Sequence, residues 1–298
     1  MTCRILVALD GSPESEAALS EIERMAVGGT SVHFLRVVPM LPLSVDATSA
    51  GVMAGHDQAL SYLGGLRERL PDVRGLDLIR TGDPADAILQ VSLEFNIDLI
   101  AMGTHVRSGV AQRSMGNVAE TVLRGSHLPV LMSRPGIFPA HKTLRRILVP
   151  LDGSEESLMI LPIVKIMAIR TSAEIVFLHL SESALAPLPN PRFPAGVGAS
   201  EDPREKILKL ADALEKSDLT FWQTVAQGDV VDEIVTHAET LDVDLIAMST
   251  QGNRDLERTI VGSAAMKVLG RSDRAVLLQR PVAHAIASRA WKYHESRG

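Results

Sequence analysis

The feature that most constrains this chain is an internal duplication. Asp98-Leu99-Ile100-Ala101-Met102 returns as Asp244-Leu245-Ile246-Ala247-Met248, 146 residues later. Leu9-Asp10-Gly11-Ser12 returns as Leu151-Asp152-Gly153-Ser154, and Gly82-Asp83 as Gly228-Asp229. A chain of 298 residues, 46% hydrophobic, is long enough for two cores. The repeat therefore predicts two units, 1–140 and 141–298, with the join near His141. The basic tail from 281 to 298 belongs to neither repeat.

Within each unit, short apolar runs alternate with helical patterns. In the first, strands are expected at 4–9, 32–38, 76–80, 98–102 and 129–132. Ser12 and Pro13 open a helix to about residue 27, as N-cap and first helical residue. A loop is expected over 39–55 and a helix over 56–70. Gly82-Asp83-Pro84 starts another helix, with Ala87, Ile88, Val91 and Phe95 on its buried face. The second unit repeats this with strands at 146–151, 174–180, 219–225, 243–247 and 275–279 and a helix at 202–216. Alternating strands and helices predict parallel sheets covered on both faces. The fold class is α/β, with two tandem doubly wound domains of five parallel strands each. Such sheets take ligands at the carboxyl ends of their strands, where the strand order reverses. The loops after the first strand (Asp10, Asp152) and after the fourth are expected to meet there.

The fourth-strand loops are rich in small residues. Met248-Ser249-Thr250-Gln251-Gly252 is followed nine residues later by Gly262-Ser263, which opens a helical pattern. In the first unit Met102-Gly103-Thr104-His105-Val106 is followed by Gly116-Asn117. A helix N-terminus offers free N–H groups and partial positive charge, and glycine lets an anion approach the backbone. Both loops are candidate phosphate sites.

Other classes are disfavoured. A net charge of −6 argues against a nucleic-acid partner. One cysteine, Cys3, permits no internal disulfide and suits a reducing cytosol. A strand begins at once, so no signal peptide is expected, and no apolar run approaches the roughly 20 residues that span a bilayer. A cytoplasmic protein without a membrane segment is the expectation. Neither Gly-x-x-x-x-Gly-Lys-Ser/Thr nor Gly-x-Gly-x-x-Gly after the first strand is present. The nine histidines show no His-x-x-x-His spacing, so no protein metal site is expected. Thr104-His105 is a weak candidate for proton transfer, since Gln251 replaces the histidine in the second copy.

These motifs resemble the universal stress protein family, twice in one chain, over about 3–133 and 145–280. Its nucleotide-binding members carry Gly, two residues, Gly, nine residues, Gly and Ser/Thr after a strand, with an aspartate ending the first strand. The second unit matches through Asp152, Ser249, Gly252, Gly262 and Ser263, with serine in place of the first glycine. The first matches through Asp10, Gly103 and Gly116, with Val106 and Asn117 departing. The resemblance implies an adenine nucleotide alpha hydrolase-like fold that binds ATP, with Mg²⁺ arriving on the nucleotide. It places adenine near Val37 or Leu180 and against Met102 or Met248. It also implies a nucleotide-responsive stress regulator rather than an enzyme. A β-branched Val106 suits a left-handed loop position poorly, so the second unit is expected to bind ATP better. The alternative is a stress-response scaffold that needs no nucleotide. The last strands, at 130–132 and 276–278, are expected to pair across the units as an internal pseudo-dimer, with homodimerisation beyond it.

Overall fold

Alternation of apolar side chains decides how each strand of this sheet is buried. The structure is a computed structural model that describes residues 3–39, 49–104, 116–136, 141–152, 154–180, 220–226, 228–250 and 263–281. The first unit runs β1 (Cys3–Leu9), a 3-10 turn (Ser15–Ala18), α1 (Leu19–Met25), β2 (Thr30–Val38), α2 (Ser49–Arg69) and β3 (Asp77–Thr81). It continues with α3 (Pro84–Glu94), β4 (Leu99–Gly103), α4 (Asn117–Gly125) and β5 (Val130–Ser133). The second runs β6 (Arg146–Leu151), α5 (Glu155–Leu158), α6 (Leu161–Thr171), β7 (Glu174–Leu180) and β8 (Phe221–Ala226). It ends with α7 (Val230–Thr240), β9 (Leu245–Ser249), α8 (Ser263–Arg271) and β10 (Ala275–Gln279).

All ten strands form one sheet in the order β3-β2-β1-β4-β5-β10-β9-β6-β7-β8. Each half has the doubly wound parallel order, reversing between β1 and β4 and again between β6 and β9. The halves join through the antiparallel pair β5–β10, with Leu131 opposite Leu277. The expected pairing of the last strands is therefore present within the chain.

Period-two alternation feeds two cores. Ile5, Val7, Phe34, Leu131, Val149, Phe177 and Leu277 lie in one, beside residues of α1, α2 and α6. Leu6, Leu35, Ile100, Met132, Leu148, Ile246 and Leu278 lie in the other, beside residues of α3, α4, α7 and α8. Both cores contain residues of both units, so the apolar layers run continuously across the join.

The local start signals work as read for α3 and α7. Asp83 Oδ1 accepts from the N–H groups of Ala85 and Asp86, at 2.9 and 3.0 Å. Asp229 does the same for Val231 and Asp232, at 3.0 and 3.1 Å. Elsewhere the structure departs from expectation. The helix expected from Pro13 is a 3-10 turn followed by the seven residues of α1, because the chain here is bent tightly against β4. The loop expected over 39–55 gives way to α2 from Ser49; burial of Leu63 and Leu66 against the sheet carries the helix past the glycines. The helix expected at 202–216 lies outside the described residues.

Polar contacts also cross between units, and one pair of them repeats by pseudo-symmetry. Arg134, just after β5, donates to the carbonyls of Gly270 and Ser272 and pairs with Asp273 at 2.9 Å. Its counterpart Arg280, just after β10, donates to the Arg124 carbonyl at 2.5 Å. Each arginine thus meets the carbonyl end of the other unit's last helix, where a cation is favoured. A third contact is buried. Arg24 of α1 pairs with Glu21 at 2.9 Å and with Asp244 of the second unit at 2.7 Å. Asp244 Oδ2 also accepts from the backbone N–H groups of Arg145 and Arg146. Burial pushes the Glu21 carboxyl up to about 6; Arg24 pulls against that rise and Asp244 adds to it.

Two outcomes follow from this cluster. Replacing Arg24 by Met leaves the buried Glu21 carboxylate without its cation and Asp244 with only its Oδ2 partners, and is expected to cost about 3 kcal/mol in denaturant unfolding. For Glu21 the folded pKa is the higher one, so its favourable contribution is full below its unfolded value, 4.5, and is lost as pH rises through about 6. Glu21→Gln is therefore expected to gain on the native protein by up to about 2 kcal/mol between about pH 4 and pH 7, read from chemical melts at both pH values.

Candidate functional site

The turn after β1 has the same geometry in both units. Ser12 donates to Asp10 Oδ1 through its N–H at 2.9 Å and its hydroxyl at 2.5 Å. Ser154 repeats this on Asp152 at 3.0 and 2.6 Å. The serine hydroxyl then accepts from the N–H three residues on, at 3.1 Å in each unit (Ser15 and Ser157). Gly11 enters the turn at φ +82°, a left-handed position that favours glycine. One carboxylate oxygen of Asp10 is thus fixed by local bonds. Burial alone would raise its pKa, but the Ser12 hydrogen bonds, with Ser15 and the Arg36 charge, outweigh it and hold the group below the ordinary carboxylate range. Asp10 is therefore an anion and an acceptor at neutral pH.

Above this turn the first unit opens a cavity of about 530 Å³, within the range of small-ligand sites. It lies at the carboxyl ends of β1, β2 and β4, over the β1/β4 reversal. Asp10, Val37, Met102, Gly103, Gly116 and Asn117, all singled out from sequence, line it together. Val37 and Met102 present apolar surface. Gly116 is the N-cap of α4 and has no side chain to cap the first-turn N–H groups, so the positive end of that helix faces the space.

Other lining residues were not singled out. Leu35 lies two residues before Val37, on the same face of β2, so the strand period alone marks it. Ile88 was read only as core. Thr104 was read only for proton transfer with His105; it is 1% exposed, donates its N–H to the Ser133 carbonyl at 2.8 Å, and has a buried hydroxyl with no partner.

In the second unit Asp152 and Leu180 end their strands half-buried, and Met248 and Ser249 are buried. Ser263 begins α8 and is exposed. Gly252 and Gly262 lie outside the described residues, as do His105, Val106 and Gln251. Thr250 repeats Thr104, donating its N–H to the Gln279 carbonyl at 2.9 Å.

Gly103 has a reason of its own. A Cβ built there would stand 1.7 Å from the Glu14 carbonyl oxygen and 2.8 Å from Ser15 Cα. The 3-10 turn presses directly on β4, and this packing alone requires glycine. The second copy carries Ser249 at that place and a four-residue helix, α5, near it.

Two parallel half-sheets, each with its reversal point and the first with a ligand-sized crevice there, define a tandem doubly wound α/β protein. The universal stress protein family matches residues 1–134 and 143–280, and the chain belongs to that family. A universal stress protein of Mycobacterium tuberculosis is 31% identical over 134 residues, covering 44% of this chain and 45% of its own length. Universal stress protein A homolog 2 of Coxiella burnetii is 26% identical over 138 residues, 44% of this chain and 94% of its own. The chain thus spans about half the length of the first curated relatives it matches. The fold is also that of a universal stress protein from Archaeoglobus fulgidus, with a TM-score of 0.70 at 20% identity over 93% of this chain and 98% of that one. Among the described residues no helix is long and apolar enough to cross a membrane.

Because a Cβ at residue 103 meets backbone rather than a flexible side chain, Gly103→Ala is expected to destabilise by about 3 kcal/mol with or without nucleotide. Thermal melts of the ligand-free protein check this; an unchanged melting temperature would contradict the packing.

Proposed function

We propose that this universal stress protein binds adenine nucleotides at the carboxyl ends of its half-sheets and acts by occupancy rather than turnover. The observation that carries the reading is the first-unit cavity, which gathers six residues chosen from sequence alone. The base packs between Val37 and Met102, the ribose hydroxyls donate to Asp10, and phosphate oxygens accept from the N–H groups that open α4. The repeated Asp–Ser turn supports a second crevice at Asp152 and Leu180, with Met248 and Ser249 as its wall.

Triphosphate binding falls to the second crevice. Gly252 and Gly262-Ser263 supply there the glycines and hydroxyl that Val106 and Asn117 replace in the first. Mg²⁺ arrives on the nucleotide, because the first crevice's described lining offers one carboxylate and the ion prefers phosphate oxygen and water. An aspartate held below its usual pKa is a weak general base, which supports binding without catalysis. A cytoplasmic location, a regulatory role in stress and assembly into a homodimer complete the proposal. The second reading, a scaffold that needs no nucleotide, is favoured by Gly103, whose glycine is explained by packing alone.

Protein purified without added ligand is expected to release ATP on denaturation, at about one per chain by mass spectrometry. Asp152→Ala is expected to lower ATP affinity about tenfold, the loss of one charge-assisted hydrogen bond, and Asp10→Ala to lower it less. Equal losses would overturn the ranking of the two crevices, and protein free of nucleotide that binds none in titration would favour the scaffold.

A further inference from the structure

The ten-stranded sheet ends in β3 on one side and β8 on the other, and the two are protected unequally. In a parallel pair, alternate residues turn both backbone groups to the neighbouring strand, and the residues between turn theirs outward. The Ile175 N–H donates to the Thr220 carbonyl at 3.0 Å, and the register sets Ile175 against Phe221. Trp222, Thr224 and Ala226 therefore face β7, and Phe221, Gln223 and Val225 turn their N–H and C=O groups outward. On β3 the Phe34 N–H donates to the Leu76 carbonyl at 2.9 Å, which leaves Asp77, Ile79 and Thr81 outward in the same way.

β3 guards its own edge. Arg80 donates to the outward Ile79 carbonyl at 3.1 Å and pairs with Glu94 at 2.8 Å, while Asp77 pairs with Arg67 at 2.8 Å. Charges of this kind keep other chains off a sheet edge. β8 has neither: the duplication sets Gln223 at the place of Asp77 and Ala226 at that of Arg80. The strand carries no charge and no proline, is rich in aromatic and β-branched residues, and pairs with β7 without a bulge. Such a segment is prone to take up another strand. Its aromatic rings are engaged on the sheet, Phe221 with Phe177 and Trp222 with the Arg146 guanidinium, each at 6.0 Å. No described residue bonds to its outward backbone groups.

We propose that β8 pairs antiparallel with β8 of a second copy of this chain, about a two-fold axis at Gln223. The N–H and C=O of Gln223 then exchange bonds with the same groups of the other copy. An uncharged strand opposes no like charges when it meets itself, and the chain already closes its inner edges by antiparallel pairing of equivalent strands, β5 with β10. Pairing β8 with β3 would run head-to-tail and leave a bare edge at every step. Pairing like with like closes the assembly, with only the guarded β3 strands at its ends. This gives the proposed homodimer its surface and rests on that assembly; nucleotide binding does not enter it.

Sedimentation of the full chain at micromolar concentration tests this, with a dimer expected for the native protein. Gln223→Pro removes two bonds across the axis and is expected to raise the dimer dissociation constant about a hundredfold. Its monomer stays folded, because proline is tolerated where an edge N–H faces outward. Gln223→Asp installs the β3 residue, sets like charges opposite one another and is expected to dissociate the dimer too. Ile79→Pro, which removes an outward N–H from β3 instead, is expected to leave the dimer intact. A dimer that survives both Gln223 variants, or that dissociates with Ile79→Pro, would overturn the β8 contact and leave the homodimer standing. A monomeric native chain would overturn both, whatever its nucleotide content.

Discussion

The structure depends on the antiparallel meeting of β5 and β10, where Leu131 stands opposite Leu277. Each strand ends its own half-sheet with a bare edge, and bare edges are reactive. Pairing them removes both edges at once and joins the apolar layers on either side of the sheet. Polar contacts then secure the join: Arg134 and Arg280 exchange across it, and Arg24 reaches Asp244 from below. The antiparallel join also makes the two half-sheets run oppositely, so their carboxyl ends lie on opposite edges of the ten-stranded sheet.

Duplication has preserved the turn and changed what surrounds it. The Asp–Ser–Ser hydrogen bonds agree between copies within about 0.1 Å. Such a turn is local, closed by side chains within three residues, and survives changes elsewhere. Where the turn packs on the fourth strand the copies part. Gly103 accepts the 3-10 turn against its backbone, whereas Ser249 carries a side chain and the helix near it is α5. Arg36 on β2 stands where β7 has His179, by the register of each strand with β1 or β6. The halves share an architecture and differ in the residues that pack beside the turn.

Much of this was legible in the chain. The duplication predicted two doubly wound halves, and continuous apolar runs alternating with helical patterns predicted parallel strands covered on both faces. Gly82-Asp83 and Gly228-Asp229 marked helix starts that the structure caps as expected. The first-unit site residues converge because the parallel topology forces the ends of β1 and β4 together. Illegible were the first seven residues of α2, 49–55, which carry no clear apolar period ahead of the helix expected from 56, and the 3-10 turn, which is a response to β4 and not a property of its own residues.

The sequence by itself determined the strands, their parallel order and the Asp-anchored turns, because each rests on local periodicity or on bonds within a few residues. Only the tertiary structure decided that Gly103 answers to the Glu14 backbone, that Thr104 walls a cavity with an unpaired hydroxyl, and that Arg24 finds its second carboxylate in the other half. Those facts depend on distances between residues far apart in the chain, and no local pattern encodes such distances.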